Sequence, residues 1–264
     1  MTDISSNNQN TRRGDAGDTP SARLPHAVLD LPSRRLKGLK IERLLGLAGR
    51  PQPIRMLEVG TGSGGIANYF GTHPQLRCEV DAVDVCDNRA ITDGYRYQQV
   101  HDTQLPFADQ SFDVVLTNHV IEHVGNERAQ RAHLAELRRV LRPGGVGYLA
   151  VPNRWMLVEP HFKLAFLSWL PHAWRTPYLR ATGKGEIYDC EPLQMRQLEG
   201  LLTDAGFLHR NLCIDALRAT FDIERSQSAI NHVLNKVPDA AFLPLRRIIP
   251  TLIYRFWRST DVSR

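Results

Sequence analysis

The sequence predicts an α/β protein built on a doubly wound, mostly parallel sheet. Three observations carry that expectation. Apolar strand-like runs alternate with helical runs from Ile54 to Val151. A glycine-rich stretch, Glu58-Val59-Gly60-Thr61-Gly62-Ser63-Gly64-Gly65, joins the first strand to the first helix of that series. An acid, Asp84, closes the second strand. In sheets of this class ligands sit beyond the carboxyl ends of the strands.

The elements follow in order. Residues 1–22 are polar and turn-rich with no apolar h-region, which reads as a disordered tail and not a secretory signal. From Leu24 to Arg50, cations such as Arg34, Lys37 and Lys40 are interleaved with leucines. This is an amphipathic helix that either packs one face on the sheet or folds as a flap over a ligand. Strands are then expected at Ile54–Val59, Glu79–Val85, Gln98–Val100, Phe112–Thr117 and Val146–Val151, with helices from Ile66 and over Arg128–Leu141 and a turn at Pro143-Gly144-Gly145. After Pro152 the composition changes. Residues 153–190 carry Trp155, Phe162, Phe166, Trp169, Trp174, Tyr178 and Tyr188 and read as an aromatic-rich lid insertion. A helix over Pro192–Ala205 and a strand pair, Phe207–Ile214 and Leu217–Phe221, complete a domain over residues 23–222.

Residues 223–264 form a basic C-terminal segment. On a helical wheel Phe242, Leu245, Ile248, Ile249, Leu252, Ile253 and Phe256 share one arc. Two readings stand: a helix that caps the sheet or makes a homodimer contact, and a peripheral helix on the inner face of a membrane.

Composition sets bounds. The chain has 264 residues, 42% hydrophobic and 23% charged, with a formal net charge of +5, as in soluble globular proteins. Cys78, Cys86, Cys190 and Cys213 are scattered and form no C-x-x-C pair, so they read as reduced thiols of a cytoplasmic protein.

The glycine loop fits two cofactors. Gly60, Gly62 and Gly65 match the dinucleotide spacing, while Glu58, Gly60, Gly62 and Gly64 match an acid-x-G-x-G-x-G pattern. Glu58 tilts the choice, because a carboxylate can face the cationic amino-acid end of S-adenosylmethionine (SAM) and offers nothing to a pyrophosphate. Asp84 can accept the hydroxyls of a ribose in either case. Asn118 and His119, closing the fourth strand, join the cofactor set.

The run His101–Val124, "HDTQLPFADQSFDVVLTNHVIEHV", and the run "LRRVLRPGGVGYLAVPNRW" after it resemble class I SAM-dependent methyltransferases of the type-11 kind, the group that includes ubiquinone-pathway enzymes. The resemblance covers residues 55–153. It implies SAM as cofactor and a Rossmann-like seven-stranded sheet whose last two strands are antiparallel. It also implies that Asp102, the acid before Leu105-Pro106-Phe107, holds the adenine amino group. Asp102 stands one residue closer to that tripeptide than is usual for the family. The Glu122-His123 pair matches the family's "EH", which some quinone-pathway relatives place near a divalent metal. His119 stands where those relatives have an acid, so no metal is assigned.

Candidate catalytic groups are His123, Glu122 and His161, a histidine being suited to act as a base near neutral pH. Glu159, Tyr188 and Asp189 in the expected lid, and Asn153 and Arg154 at its start, are candidates for the acceptor side. The reading is methyl transfer to an oxygen, a phenol or sugar hydroxyl, on a small-molecule or lipid-linked acceptor. The rivals are a dinucleotide oxidoreductase, a SAM-fold protein of non-methylating activity and a nucleic-acid methyltransferase; mild charge and the lack of an N-P-P-Y-type motif speak against the last.

Overall fold

The computed structural model describes residues 30–259 apart from 160, 161 and 189. The expected N-terminal tail, 1–22, lies outside the described residues. Helix α1 (Leu31–Leu45) is followed by strand β1 (Ile54–Val59), α2 (Gly65–Gly71), β2 (Cys78–Asp84), β3 (Arg96–Gln99), β4 (Phe112–Asn118), α3 (Glu127–Val140) and β5 (Leu141–Pro152). A two-stranded ribbon, β6 (Val158–Glu159) and β7 (Leu164–Ala165), and α4 (His172–Ala181) come next. The remainder is α5 (Met195–Asp204), β8 (Phe207–Asn211), α6 (Cys213–Glu224), α7 (Ala229–Lys236), α8 (Asp239–Phe242) and β9 (Thr251–Arg258).

The strands make a seven-stranded sheet in the order β3-β2-β1-β4-β5-β9-β8. The first five are parallel, and β9 runs antiparallel to both β5 and β8. Helices cover both faces because the strands are apolar on both. On one face Leu57, Val115, Leu149 and Phe256 pack against Leu134 and Leu137 of α3 and Leu198 and Leu202 of α5. On the other, Met56, Leu116, Tyr148 and Ile253 pack against Ile41 of α1, Phe70 of α2 and Ala216 of α6. Alternate residues of one strand thus feed opposite cores.

Three expectations are corrected. Pro143-Gly144-Gly145 is no turn between elements but an irregularity inside β5: Phe112 pairs with Leu141 and Val114 with Val146. Gly144 takes φ +76°, which accommodates the extra residues. Leu217–Phe221 is not a strand; it lies within α6, where Leu217 is half-buried and the buried side is formed by Cys213, Ile214 and Ala216. The partner of β8 is instead β9, so the expected amphipathic C-terminal helix does not exist. Leu252, Tyr254 and Phe256 point to one core and Ile253 to the other. The helical arc is therefore broken up: Leu252, Ile253 and Phe256 fall in this strand, while Phe242, Leu245, Ile248 and Ile249 precede it. Tyr254 also donates its hydroxyl to Glu199 of α5 at 2.7 Å.

Of the expected lead-in helix, the described part matches the packing reading: α1 buries Gly38, Ile41 and Leu45. It also crosses the start of α2, where a Cβ on Gly65 would lie 2.6 Å from Cβ of Arg34.

A candidate cofactor crevice at the strand ends

β1 is flanked by β2 on one side and β4 on the other. At such a reversal of strand order, the loops leaving the carboxyl ends diverge and open a crevice. Gly60, Gly62 and Gly64 all take left-handed backbone, at φ +80°, +52° and +80°. A Cβ on Gly60 would lie 2.2 Å from Cγ2 of Val120. Only glycine meets both demands. The loop is fixed to β2: the Gly60 and Thr61 amides donate to the Val83 carbonyl at 2.8 and 3.2 Å, and the Gly62 amide donates to Asp84 Oδ2 at 2.8 Å. Asp84 Oδ1 accepts from the Val85 amide at 2.7 Å. The half-buried Asp84 therefore ties the glycine loop to the second strand.

Glu58, the penultimate residue of β1, is 1% exposed. Burial pushes its carboxyl up to about 8, a backbone hydrogen bond from Ala67 opposes this, Asp84 adds to it, and Arg34 of α1 works against it. Glu58 Oε2 and Asn118 Oδ1 are both buried with no hydrogen-bond partner. Buried acceptors left in this condition are costly. A cationic headgroup rich in N–H donors satisfies them, so the residues present fit the amino-acid end of SAM. Asp102 is exposed in the loop after β3 and accepts the Gln104 amide at 2.7 Å.

Past β4 the chain turns sharply. His119 has φ +60°, uncommon for a side-chain-bearing residue, and its amide donates to the Ala150 carbonyl at 2.8 Å. His119 Nδ1 lies 3.1 Å from Glu122 Oε1; the histidine side chain is 25% exposed and the carboxylate not at all. Glu122 is thus a group behind His119, not one that reaches the crevice itself. Beneath it, His133 of α3 is buried with Nε2 3.1 Å from Thr117 Oγ1. Burial pushes the His133 imidazole down to about 4, against the pull of Glu122, so it is neutral at ordinary pH. Nothing in the spacing of α3 marks His133 except its place on the buried side with Leu134 and Leu137, and sequence reasoning missed it.

His123 sits with both ring nitrogens 3.9 Å from Cys190 Sγ, and its amide donates to the Val120 carbonyl at 2.8 Å. His161 and Asp189 lie outside the described residues. Glu159 is buried and Oε2 accepts the Phe162 amide at 2.8 Å. Asn153 does not border a cleft. It is buried and clamps the C-terminal run, donating to the carbonyls of Arg247 and Ile249, both at 2.9 Å. Tyr188 is buried in a small separate core with Leu164, Leu167, Leu179 and Cys190. This segment is tied to the strand ends where the Glu191 amide donates to the Glu122 carbonyl at 2.9 Å. Trp155, Phe166 and Trp169 stack edge to face on its surface, with centroids 5.4 and 5.3 Å apart, and each is exposed. Arg154 lies over the Trp155 ring.

Residues 57–149 match a methyltransferase domain of type 11. The chain carries a class I, type-11 SAM-dependent methyltransferase domain. The matched residues include Glu58, the glycines, Asp84, Asp102 and the His119–Glu122 pair. The chain is 36% identical to the fatty-acid O-methyltransferase of Mycolicibacterium smegmatis over 97 residues, which is 34% of each protein. It is 33% identical to the phthiotriol/phenolphthiotriol dimycocerosates methyltransferase of Mycobacterium tuberculosis over 139 residues, 48% of each. The chain thus matches about a third to a half of the length of these curated relatives. Among solved structures, a putative sarcosine dimethylglycine methyltransferase from Galdieria sulphuraria superposes with a TM-score of 0.50 at 13% identity, covering 87% of this chain and 86% of that one. The 4+2 cyclase SpnF does so with a TM-score of 0.50 at 15% identity, covering 86% and 81%. The methyltransferase fold thus hosts more than one reaction, and the reaction must be argued from the site.

Proposed function

We propose that the protein transfers the methyl group of SAM to a hydroxyl oxygen of an apolar, lipid-like acceptor. When bound, SAM supplies an electrophilic methyl on a positive sulfur. The observation that carries the reading is the His119–Glu122 pair beside the glycine loop. A carboxylate on Nδ1 fixes the tautomer with the proton on that nitrogen and makes Nε2 the basic one. His119 Nε2 would accept the proton of the acceptor hydroxyl when that oxygen takes the methyl group. A carboxylic acid acceptor is already ionised at neutral pH and needs no base. The pair therefore favours a phenol or sugar hydroxyl over a fatty acid. Glu122 acts through His119 as a positioning residue. His123, against Cys190, has a lesser claim to the base role than the sequence suggested.

On the cofactor side, Glu58 and Asn118 would hold the amino-acid end, Asp84 the ribose and Asp102 the adenine, with Gly60, Gly62 and Gly64 giving close backbone approach. The apolar acceptor is supported by the exposed Trp155, Phe166 and Trp169 and by relatives whose names specify lipid substrates. The test is incubation of the full chain with methyl-labelled SAM and a panel of phenols, glycolipids and fatty acids. Labelled methyl ether, absent with His119→Asn, is the expected result. Methyl ester from fatty acids, unaffected by His119→Asn, would overturn the assignment of the base and the acceptor.

A further inference from the structure

At the opposite end of the sheet lies a second concavity, a cleft of about 430 Å³ whose lining includes Arg50, Leu208, Arg210, Arg255, Trp257 and Arg258. Its arginines come from three places: the loop before β1, strand β8 and strand β9. Arg210 and Arg255 are direct cross-strand partners, and so are Leu208 and Trp257. Like charges directly opposite on antiparallel strands are destabilising. Burial, and then the charge of Arg255, hold the Arg50 guanidinium below its usual value, while Asp113 opposes this.

Four arginines meet here with little counter-charge among them. Several arginines elsewhere pair with acids at short range: Arg96 with Asp81 at 2.7 Å, Arg131 with Asp204 at 2.7 Å, Arg139 with Glu136 at 2.8 Å, Arg142 with Asp113 at 2.8 Å. In the cleft, Arg210 has Asp215 at 3.6 Å. Among the described residues no ion pair joins Arg50, Arg255 or Arg258 to an acid. Arg255 Nε and Arg258 Nε are buried without a hydrogen-bond partner. Arg258 instead donates to the Leu141 carbonyl at 3.0 Å, and Arg50 to the Gly144 carbonyl at 3.4 Å. Arg255 lies 5.8 Å from the centroid of the Trp257 ring.

We propose that this cleft binds a phosphate-bearing polyanion. Guanidinium forks on facing strands match the oxygens of a phosphate or pyrophosphate group, and Trp257 offers an apolar wall to whatever the group is attached to. The site is remote from the SAM crevice, so its ligand is a separate one.

The experiment is calorimetric titration of the full chain with inorganic pyrophosphate at low salt, alongside flotation with phosphatidylglycerol and phosphatidylcholine vesicles. Pyrophosphate binding weakened at least about tenfold by Arg210→Gln with Arg255→Gln, with SAM affinity unchanged, is the expected result. Binding of phosphatidylglycerol vesicles alone, lost in the same variant, supports the site and places the phosphate on a lipid headgroup. Binding of neither probe, or binding the double variant does not weaken, overturns it. Arg50→Gln, in a loop outside the sheet, gives the same reading should the strand variants fail to fold. SAM affinity is read separately, so failure here leaves the methyl-transfer reading untouched, and the reverse holds.

Discussion

The two ends of the sheet are chemical opposites. At the carboxyl ends of β1 and β2 stand acids, Glu58 and Asp84, with Asp102 in the loop after β3; at the other end stand Arg50, Arg210, Arg255 and Arg258. Each group is set too close for its own comfort: Asp84 raises the carboxyl of Glu58, and Arg255 lowers the guanidinium of Arg50. Clustered like charge costs stability, and it persists where a ligand of opposite sign repays it. The contrast teaches that one scaffold can present a cation-seeking and an anion-seeking end. Neither is visible in a net charge of +5.

The sharpest way to break the comparison is at His119. His119→Asn is expected to lower methyl transfer by about 10²–10⁴-fold, the usual weight of a general base. Glu122→Gln should lower it less and shift the acid limb of the rate–pH profile, which a purely structural role would not do. The next effect is on cofactor affinity. Asp84→Ala should weaken SAM binding by about 10–100-fold, since hydrogen bonds to a charged group are worth about 1.5–3 kcal/mol. Asp102→Ala should weaken it less, because that carboxylate is exposed. Titration calorimetry giving the reverse order would sink the cofactor placement.

Glu58 sharpens the acidic end through pH. Its folded value is raised to about 8 from an ordinary value near 4.5. Between those values the native state holds the extra proton, so stability falls as pH rises from about 4.5 to 8. SAM binding works in the opposite sense, because the cation favours ionised Glu58. Affinity should rise with pH up to about 8, with a proton released on binding near neutral pH. Both trends should flatten in Glu58→Gln, read by thermal melts and by calorimetry in buffers of differing ionisation heat. The smallest effect lies at the basic end. Without added anion at low salt, Arg255→Gln should stabilise the fold by about 0.2–1 kcal/mol by removing the facing charge. A lower melting temperature would show that Arg255 is not in conflict with its neighbours.

The acidic end was legible in sequence because its parts are local. Glu58 to Gly64 is one strand–turn stretch, and Asp84 ends the next strand. The basic end was not, because its arginines are brought together only by the pairing of β9 with β8. That pairing was misread for a physical reason. Thr251–Arg258 opens on three consecutive buried apolar residues, Leu252, Ile253 and Tyr254, which blurs the alternation that marks a half-exposed strand. Read with the preceding residues, its apolar side chains mimic a helical arc. The His119–Glu122 contact is half legible: the sequence singles out both residues, His119 for the cofactor and Glu122 for catalysis, but does not pair them. Which one faces the crevice depends on the left-handed turn at His119, which no local rule forecasts.

β9 occupies an interior place in the sheet, between β5 and β8, although it is the last of the described strands in the chain. During synthesis β5 must wait with a bare hydrogen-bonding edge until more than a hundred further residues have emerged. The order of assembly is thereby set by the order of translation. β8 joins the sheet only when β9 slots into the gap. The chain's middle is most open to wrong partners in that interval, and folding assistance would act there to greatest effect.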